Sequence, residues 1–555
     1  MDINEARLSR RALLARGTAA AGILTAGGLL AACGGSSSNS GSSLTGATSA
    51  AGGGKPVPLV TWGLPAEPVS MDPAFAYDFE TDAVLTNVLD SLMRFSPSGA
   101  LLPSLAERLE ERGNRALVFP LRRGVSFHDG SELTSADVVA SLQRHLDPDL
   151  GSYFGGYFGN VAEIRANGRY AVEIVFREPD YALKYMMATM AGAVVSKRLI
   201  DRAGRKLGDP TVGVVGTGPY RFASWASGRE VVIERFDDYW DRSVPRAVRR
   251  GVFTILGDTQ TLLAALRTGE IDGSFRVTGR DAGSVEQFGN VNVLTSPGLG
   301  YQGVAFNMRK QGGPFADVKA RRALLHATDR RGVLRAAWGG HGEIADALVP
   351  PAAWSYARPI YEAAYAELPP GTLDLDLARR LAEEADLTGK SARLIYSSGN
   401  PQDEPMALGV QAAAESIGVR LDVRALSQTQ FFNQLNQGAT GRRGGDWDLS
   451  LALWAPDFAD PLTTYAQFTS SSPASSTGFS NAVLDRQVAK AIGQVADDDA
   501  RARHTVVAQR QVADQLPTWP LFSPATILVL NDRLGGMEAT PLYYWNAWLG
   551  ELSGT

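Results

Sequence analysis

The chain has 555 residues, a formal net charge of −5 and a pI near 5.7, with 54 Lys and Arg residues dispersed among 59 Asp and Glu residues. Because the basic residues form no stripe or patch, the composition argues against a nucleic-acid partner. Cys33 is the single cysteine, which excludes disulfides within the mature domain and any cysteine-based metal or nucleophile chemistry there.

The first 32 residues have the pattern of an export signal. Arg10 and Arg11 supply a charged start, residues 17–32 are small or apolar and uncharged, and small residues precede Cys33. These sixteen uncharged residues are fewer than the roughly 20 that a membrane-spanning helix needs. We therefore predict a signal peptide at residues 1–32 and not a transmembrane anchor.

The end of this signal resembles that of a bacterial lipoprotein. The residues LAAC at 30–33 match the lipobox, which implies cleavage before Cys33, a diacylglycerol group on its thiol and acylation of its new amine. SRRALL from Ser9 resembles a twin-arginine export motif, which implies export by the Tat route. Leu13 stands where Phe is more frequent, so the Sec route is kept as the alternative. The alternative is an ordinary signal peptide followed by an incidental cysteine.

A tether and a large body follow the signal. Residues 33–55 are mostly Gly, Ser, Ala and Thr, with almost no side chain large enough to bury, which predicts a flexible linker. The remaining chain of about 500 residues is too long for one core and predicts two or three packed units. It contains no second long apolar run, so we expect a soluble body exported from the cell and held at the outer face of the membrane by lipid.

In the first half of the body, strands alternate with helices. Thr134 is placed to cap a helix, with Asp137 completing a capping-box-like pair. Gly269 is placed to end a helix predicted at 259–267, and 271–272 restart an extended segment. Alternating or apolar runs predict strands at 117–121, 172–176, 220–222 and 231–236.

In the second half, predicted strands and helices alternate more regularly. It predicts strands at 304–307, 392–396, 419–425 and 447–454, and helices at 318–327, 375–385, 405–416 and 429–435. Strands separated by helices of this length form parallel βαβ units with right-handed crossovers. Because ligands bind beyond the carboxyl ends of such strands, the loop at 455–461 is the best candidate site from topology.

Several sequence blocks, in their order along the chain, resemble the family-5 extracytoplasmic solute-binding proteins of ABC importers, the dipeptide, oligopeptide and nickel-binding group. The resemblance extends over about 60–548. The matching blocks are SMDP at 70–73, LVFPLRRGVSFHDGSELTSADVVASL at 117–142, GTGPYRF at 216–222, YW at 239–240, TGEIDG at 268–273, GVAFNM at 303–308, VKARRALLHATD at 318–329 and WAPDFADP at 454–461.

This resemblance implies an α/β, two-lobed clamshell of the class II periplasmic-binding-protein type, with an extra subdomain in the first lobe. Residues 56–298 would form lobe I with the inserted subdomain, 299–509 would form lobe II, and 510–555 would return to lobe I. Ligand would bridge both lobes and favour closure, after which the loaded protein would dock on ABC permease subunits. We expect a monomer without a cofactor and without catalytic residues.

The same resemblance supplies candidate ligand-binding residues. Asp457, three residues after Trp454, stands where peptide-binding members pair an aspartate with the peptide α-ammonium, and Trp454 lies beside the bound chain. Tyr77 or Phe79 would touch ligand from the first lobe. The alternatives are a solvated acid or turn cap for Asp457 and a core aromatic for Trp454. We interpret Asp460 and Pro461 as turn architecture, and no arginine can be assigned to a peptide carboxylate.

Other apparent motifs are discounted. The G-x-G-x-x-G spelling at 298–303 precedes a strand, whereas a dinucleotide fingerprint must open a helix. His128 is predicted to be structural, and the other histidines, His145, His326, His341 and His504, lack metal-ligand spacing, which disfavours a nickel-binding member and predicts no metal site. Alternative ligands are a metal chelate, a sugar or another small solute, and a secreted hydrolase is the alternative from a different class.

Overall fold

The computed structural model describes residues 54–76, 78–310, 312–436, 445–472, 475–494 and 496–555. The predicted signal peptide, the predicted lipid-attachment residue Cys33, the predicted tether up to residue 53 and Tyr77 lie outside these residues. Within the described ranges, no helix combines the length and hydrophobicity that crossing a bilayer requires.

Short strands and helices make up most of the described chain. In chain order the strands are β1 (Val60–Leu64), β2 (Met93–Phe95), β3 (Leu101–Pro103), β4 (Glu110–Glu111), β5 (Ala116–Pro120), β6 (Val161–Ala166), β7 (Ala171–Phe176), β8 (Tyr220–Ala226), β9 (Glu230–Arg235), β10 (Arg250–Ile255), β11 (Gly273–Ser274), β12 (Val291–Ser296), β13 (Tyr301–Phe306), β14 (Gly342–Glu343), β15 (Ser391–Ser397), β16 (Arg420–Leu426), β17 (Leu449–Trp454), β18 (Thr518–Pro524), β19 (Thr526–Asn531), β20 (Leu534–Gly535) and β21 (Ser553–Gly554). The α-helices are α1 (Phe79–Leu85), α2 (Ser135–Gln143), α3 (Leu183–Met186), α4 (Lys197–Ala203), α5 (Thr259–Thr268), α6 (Gly279–Val285), α7 (Val318–Ala327), α8 (Arg330–Trp338), α9 (Arg358–Ala366), α10 (Leu375–Glu384), α11 (Asp403–Ser416), α12 (Gln428–Asn436), α13 (Pro461–Ala466), α14 (Ala482–Ile492) and α15 (Asp498–Gln515).

The first lobe is built on a seven-stranded sheet with the order β12-β19-β11-β1-β10-β9-β8. β1 runs parallel to β10 and β11, and the remaining pairs in this sheet are antiparallel. Trp62 on β1 is buried against Trp548 and Phe275, with ring centroids 4.3 and 4.7 Å away. The C-terminal segment therefore completes the core of the lobe in which the described chain begins.

A four-stranded antiparallel sheet, β4-β5-β7-β6, forms the inserted subdomain of this lobe. α2 packs on it and begins at the capping box that the sequence predicts, in which Asp137 accepts hydrogen bonds from the backbone N–H and the hydroxyl of Thr134, both at 2.9 Å. Farther along, Gly269 adopts a left-handed conformation and ends α5 as predicted.

The second lobe has a six-stranded sheet with the order β14-β18-β13-β17-β15-β16. β15 pairs in parallel with β16 and β17, with α11 between β15 and β16 along the chain, so the predicted βαβ unit is confirmed. β13 departs from the all-parallel expectation, because it pairs antiparallel with β17 and β18. It starts at the junction between the lobes, where β17 ends, and Tyr301 accordingly lies opposite Trp454.

Two chain crossings connect the lobes, and they lie side by side. The first runs from the end of β12 to Tyr301, and the Ser523 hydroxyl of the second donates a hydrogen bond of 2.8 Å to the carbonyl of Gly300. β18 still belongs to the six-stranded sheet, and the chain joins the seven-stranded sheet only at β19. The second crossing is therefore at Ala525, whereas the sequence placed the return to lobe I near residue 510. Helical pattern alone could not show that one strand remains after α15.

Gly300 is required at the first crossing because the chain passes very close to β17 there. A Cβ at this position would overlap the carbonyl oxygen of Trp454 and crowd the Cα of Ala455. The G-x-G-x-x-G spelling at 298–303 thus reflects close backbone packing at the junction, where the residues from Tyr301 form a strand.

We expect Gly300→Ala to lower the free energy of unfolding by about 1–3 kcal/mol, because the methyl group forces the first crossing away from the end of β17. Urea unfolding followed by fluorescence measures this difference. Gly283→Ala is the matched control: Gly283 is exposed on α6 and an added Cβ meets nothing within 4 Å. The control should be as stable as the parent or slightly more stable, and equal stability of the two variants would contradict the close-packing argument.

Candidate ligand-binding site

The loop at 455–460 follows β17 at its carboxyl end, as the sequence predicts. Asp460 ends the loop and caps α13, accepting hydrogen bonds from the backbone N–H of Leu462 at 2.8 Å and from the hydroxyl of Tyr356 at 2.9 Å. Pro461 occupies the first turn of this helix, where its missing N–H has no cost. The interpretation of Asp460 and Pro461 as turn architecture is confirmed.

A buried arginine, Arg501, lies against Asp460 at the end of this loop. Arg501 on α15 has no exposed side-chain surface, and its Nη2 lies 3.8 Å from Asp460 and 2.8 Å from Asp498. Burial alone would lower the pKa of Arg501, but the attraction of Asp460 and its neighbours outweighs burial and raises this pKa above its ordinary value. The guanidinium group therefore remains charged inside the protein.

The same arginine also links the second lobe to the first. Its Nη2 donates a hydrogen bond of 2.7 Å to the hydroxyl of Tyr185, which lies on α3 in the first lobe. The ring of Tyr185 stacks on Phe458 with centroids 4.9 Å apart and planes 9° from parallel. The loop is consequently packed against both lobes.

Asp457 is half-buried at the centre of the loop, and two first-lobe side chains hold it. Its carboxylate accepts a hydrogen bond from the hydroxyl of Tyr157 in the inserted subdomain, and its carbonyl accepts one of 2.6 Å from the indole N–H of Trp545. Because a carboxylate has about four acceptor positions, it can keep the Tyr157 contact while also receiving a charged donor.

The opposite side of the site is formed by the start of α1. Phe79 packs edge-to-face against Tyr544 at 5.2 Å, and Tyr544 contacts Trp545 in the same way at 4.8 Å. The guanidinium carbon of Arg276 lies 4.9 Å from the centre of the Phe79 ring, and its Nε lies 3.0 Å from a carboxylate oxygen of Glu80. An aromatic chain thus joins Phe79 to the residue that binds the carbonyl of Asp457.

Acidic residues from both lobes meet at this site. Burial raises the pKa of Asp82 well above its ordinary value, and the negative charges of Asp78, Glu80 and Asp457 raise it further. Asp82 is 3% exposed, and its Oδ1 has no hydrogen-bond partner among the described residues. The site accordingly has a negative potential that favours a positively charged group.

Trp454 is half-buried at the end of β17. Its indole N–H donates a hydrogen bond of 3.1 Å to the hydroxyl of Thr464, and its side chain packs against the large core cluster shared by the two lobes. These contacts belong to the junction between the lobes, and the expected contact of Trp454 with ligand stays a prediction.

Several residues of the site are missing from the sequence-based prediction. The run of aromatic residues at 543–545 was a usable signal, because three neighbouring large rings rarely all face solvent. Tyr157, Asp82 and Arg276 carry no such signal: each is separated by a long stretch of chain from the loop at 455–460, and their convergence is a tertiary effect.

The histidines do not contribute to this site. Nε2 of His128 lies 2.9 Å from the carbonyl of Gly218, and burial lowers the pKa of His128 to about 4, so the ring is neutral and structural as predicted. In the ranges that the structure describes, no group of three or more His, Cys, Asp or Glu side chains is arranged to hold a metal ion.

Comparisons with known proteins agree with this architecture. The family described as bacterial extracellular solute-binding proteins, family 5 Middle, matches residues 100–476. The glutathione-binding protein GsiB of Salmonella choleraesuis is 25% identical over 484 residues, which is 85% of this chain and 90% of that protein.

Two crystal structures share the fold. The ABC transporter substrate-binding protein CtaP of Listeria monocytogenes has a TM-score of 0.78 at 23% identity, with 90% of this chain and 100% of that one covered. The periplasmic binding protein DppA of Helicobacter pylori, in complex with the peptide STSA, has a TM-score of 0.70 at 21% identity, with 90% and 98% covered. The two-lobed clamshell fold is therefore confirmed.

We expect Asp82→Asn to stabilise the protein at neutral pH. Because the pKa of Asp82 is raised, the folded state keeps a proton on Asp82 that the unfolded chain releases. The parent therefore loses stability as the pH rises from about 4 toward the raised pKa. Asn at this position has no proton to lose, so the variant does not lose this stability. A pKa difference of one corresponds to about 1.4 kcal/mol. Urea unfolding at pH 4 and pH 7 should show equal stabilities at the lower pH and a more stable variant at the higher pH.

The matched control for this measurement is Asp149→Asn, since Asp149 is exposed in a turn. Its stability relative to the parent should not change between pH 4 and pH 7. If Asp82→Asn shows the same flat dependence, folding does not raise the pKa of Asp82, and the argument that burial and neighbouring carboxylates act on it fails.

Proposed function

This chain belongs to the bacterial extracellular solute-binding proteins of family 5, and we propose that it captures peptides between its lobes and delivers them to an ABC permease. The relative named above is a glutathione-binding protein and one structural neighbour holds a tetrapeptide, so both bind short peptides. The observation that carries the proposal is the position of Asp457, held between the lobes in an acidic and aromatic environment.

In this proposal, Asp457 pairs with the α-ammonium group of the peptide. An ammonium group in a closed cleft needs a carboxylate, because an unpaired buried charge is costly. Tyr157 orients the carboxylate, and Asp78 and Glu80 add negative charge near it. Backbone groups of the loop at 455–460 would form hydrogen bonds with the extended peptide as an added strand does. Such pairing recognises the peptide backbone and therefore tolerates many different side chains.

The proposed closure of the two lobes depends on contacts between the first lobe and the loop that carries Asp457. Tyr157, Tyr185 and Trp545 all lie in the first lobe and all contact the second-lobe loop. A ligand that touches Asp457 and the α1 side of the cleft at once binds the closed form more tightly than the open form. That difference in affinity shifts the population toward closure.

Phe79 is proposed to contact the ligand from the first lobe, and Tyr77 beside it keeps the same proposed role, although it lies outside the described residues. Phe79 is half-buried, with Arg276 over one face and Tyr544 at its edge. An aromatic surface at this place would pack against an apolar part of the peptide.

We also propose that Cys33 carries the lipid and that residues 33–55 tether the clamshell to the outer face of the membrane. The support is the LAAC sequence, the short uncharged segment before it and the Gly- and Ser-rich chain after it. Tethering keeps the receptor concentrated near its permease while leaving the lobes free to move.

Asp457→Asn should weaken the binding of free-amine tripeptides by about 2–5 kcal/mol, because the neutral amide leaves the ammonium without its charge partner. The binding peptide is first selected from a mixed tripeptide library by mass spectrometry and then titrated by calorimetry. The same peptide with an acetylated N-terminus should bind weakly to the parent and equally weakly to the variant.

Asp499→Asn provides the control for the change in net charge, because Asp499 is exposed on α15. It should bind the free peptide as the parent does. Equal affinity of the parent for free and acetylated peptides would refute the anchor role of Asp457. Binding of a sugar or metal chelate in place of every peptide would favour the alternative ligands, and peptide cleavage at catalytic rates would favour a hydrolase.

Cys33→Ser should release the protein from the membrane without changing its peptide affinity, because the tether and the clamshell are separate units. Fractionation of cells into membrane and soluble material, followed by calorimetry on the released protein, measures both effects. Retention of the variant in the membrane fraction would refute lipid attachment at Cys33.

A further inference from the structure

A cavity of about 360 Å³ lies inside the second lobe, apart from the cleft. Its walls come mainly from α7, α10, the C-terminal half of α15 and the start of β18, whereas the cleft is formed by the loop at 455–460 and the first lobe. This volume falls within the range of about 300–1,000 Å³ that is typical of small-molecule pockets.

Most of the cavity wall is apolar. Leucine side chains from α7, from α10 and from the position after α15 face it, among them Leu325, Leu381 and Leu516, together with Val512 on α15. A molecule that fills this space must therefore have an apolar body, because polar groups placed against these side chains would lose their hydrogen bonds with water.

Two buried hydrogen-bond donors also belong to the wall. Gln509 and Trp519 are each 2% exposed. The Oε1 of Gln509 accepts a hydrogen bond of 3.2 Å from the hydroxyl of Tyr465, which leaves its Nε2 to donate elsewhere. Neither this Nε2 nor the Nε1 of Trp519 has a hydrogen-bond partner among the described residues.

Such donors are unusual in a folded protein. More than about nine in ten buried polar groups are hydrogen-bonded, and leaving a donor unsatisfied costs about 1–3 kcal/mol. Two unsatisfied donors on the wall of one cavity are explained together if a bound molecule supplies the acceptor.

The charged and titratable residues of the wall form hydrogen bonds with neighbouring protein groups. Asp346 accepts hydrogen bonds from Arg330 at 2.7 Å and from the backbone N–H of Gly371 at 3.1 Å. Arg322 donates to the carbonyl of Asp514 at 3.2 Å, and Nδ1 of His326 lies 2.9 Å from the carbonyl of Thr372. The open donors are both neutral, so a carbonyl or amide oxygen matches them without the cost of burying the charge of a carboxylate.

We propose that this cavity is a second ligand site, which binds a small, neutral and mainly apolar molecule through a carbonyl or amide oxygen. Gln509 and Trp519 donate to that oxygen, and the leucine side chains surround the apolar body. The site is independent of the cleft and of the peptide that the cleft is proposed to bind.

Two probes of similar shape test the proposal on the purified protein. Acetophenone has an apolar ring and one carbonyl oxygen, and ethylbenzene has the same ring and carbon skeleton without an acceptor. Titrations followed by ligand-observed NMR should show saturable binding of acetophenone, with a dissociation constant at least tenfold lower than that of ethylbenzene. Equal affinities, or no saturable binding of acetophenone, would overturn the proposal.

Substitutions then locate the binding. Leu381→Trp fills the cavity from α10 and should abolish acetophenone binding, whereas Arg380→Trp, on the exposed side of the same helix, should leave it unchanged. Trp519→Phe removes one donor and should reduce the preference for acetophenone over ethylbenzene several-fold. Thermal unfolding checks that each variant is folded. The Trp519→Phe measurement compares the affinities for acetophenone and ethylbenzene in one variant, so it still tests the proposal if Leu381→Trp does not fold. An unchanged ratio of these affinities would refute Trp519 as a donor.

Discussion

Arg501 is a cation without exposed surface, and the loop that carries Asp457 is built over it. Such a charge is tolerated only where carboxylates and hydrogen-bond acceptors surround it. Here these are Asp460 and Asp498 of the same lobe and the hydroxyl of Tyr185 in the first lobe. Removing one member of such a group typically costs about 3–5 kcal/mol, because the remaining charge stays buried. The position of the loop, and through Tyr185 its distance from the first lobe, therefore depend on this one cation.

The cleft above the loop has the opposite electrostatic character. Asp78, Glu80 and Asp82 approach from the first lobe and Asp457 from the second, and burial together with mutual repulsion raises the pKa of Asp82. Arg276 lies beside Glu80 and compensates for part of this charge. In the proposed function, a ligand that brings a positive group would relieve the remaining repulsion only when both lobes are in place. Charge would then couple binding to closure.

The cavity in the second lobe would bind its ligand through interactions that differ from those in the cleft. It has apolar walls and two neutral donors, Gln509 and Trp519, so its selectivity would come from shape and from one hydrogen-bond acceptor. The cleft would select by charge and by the peptide backbone. The two proposed sites would be occupied independently, since no wall of one forms part of the other.

Local features of this protein were readable from the sequence, because they depend on neighbours along the chain. The capping pair Thr134 and Asp137, the helix at Val318–Ala327 and the loop carrying Asp457 at the end of a strand are of this kind. Tyr157 is 300 residues from Asp457 along the chain, and no local pattern predicts that they meet. The sequence by itself determined these local elements, the family resemblance and the place of Asp457 in the loop after a strand. Only the tertiary structure decided the strand directions at the junction, the place of the second crossing and the partners around the anchor, because these follow from packing between distant segments.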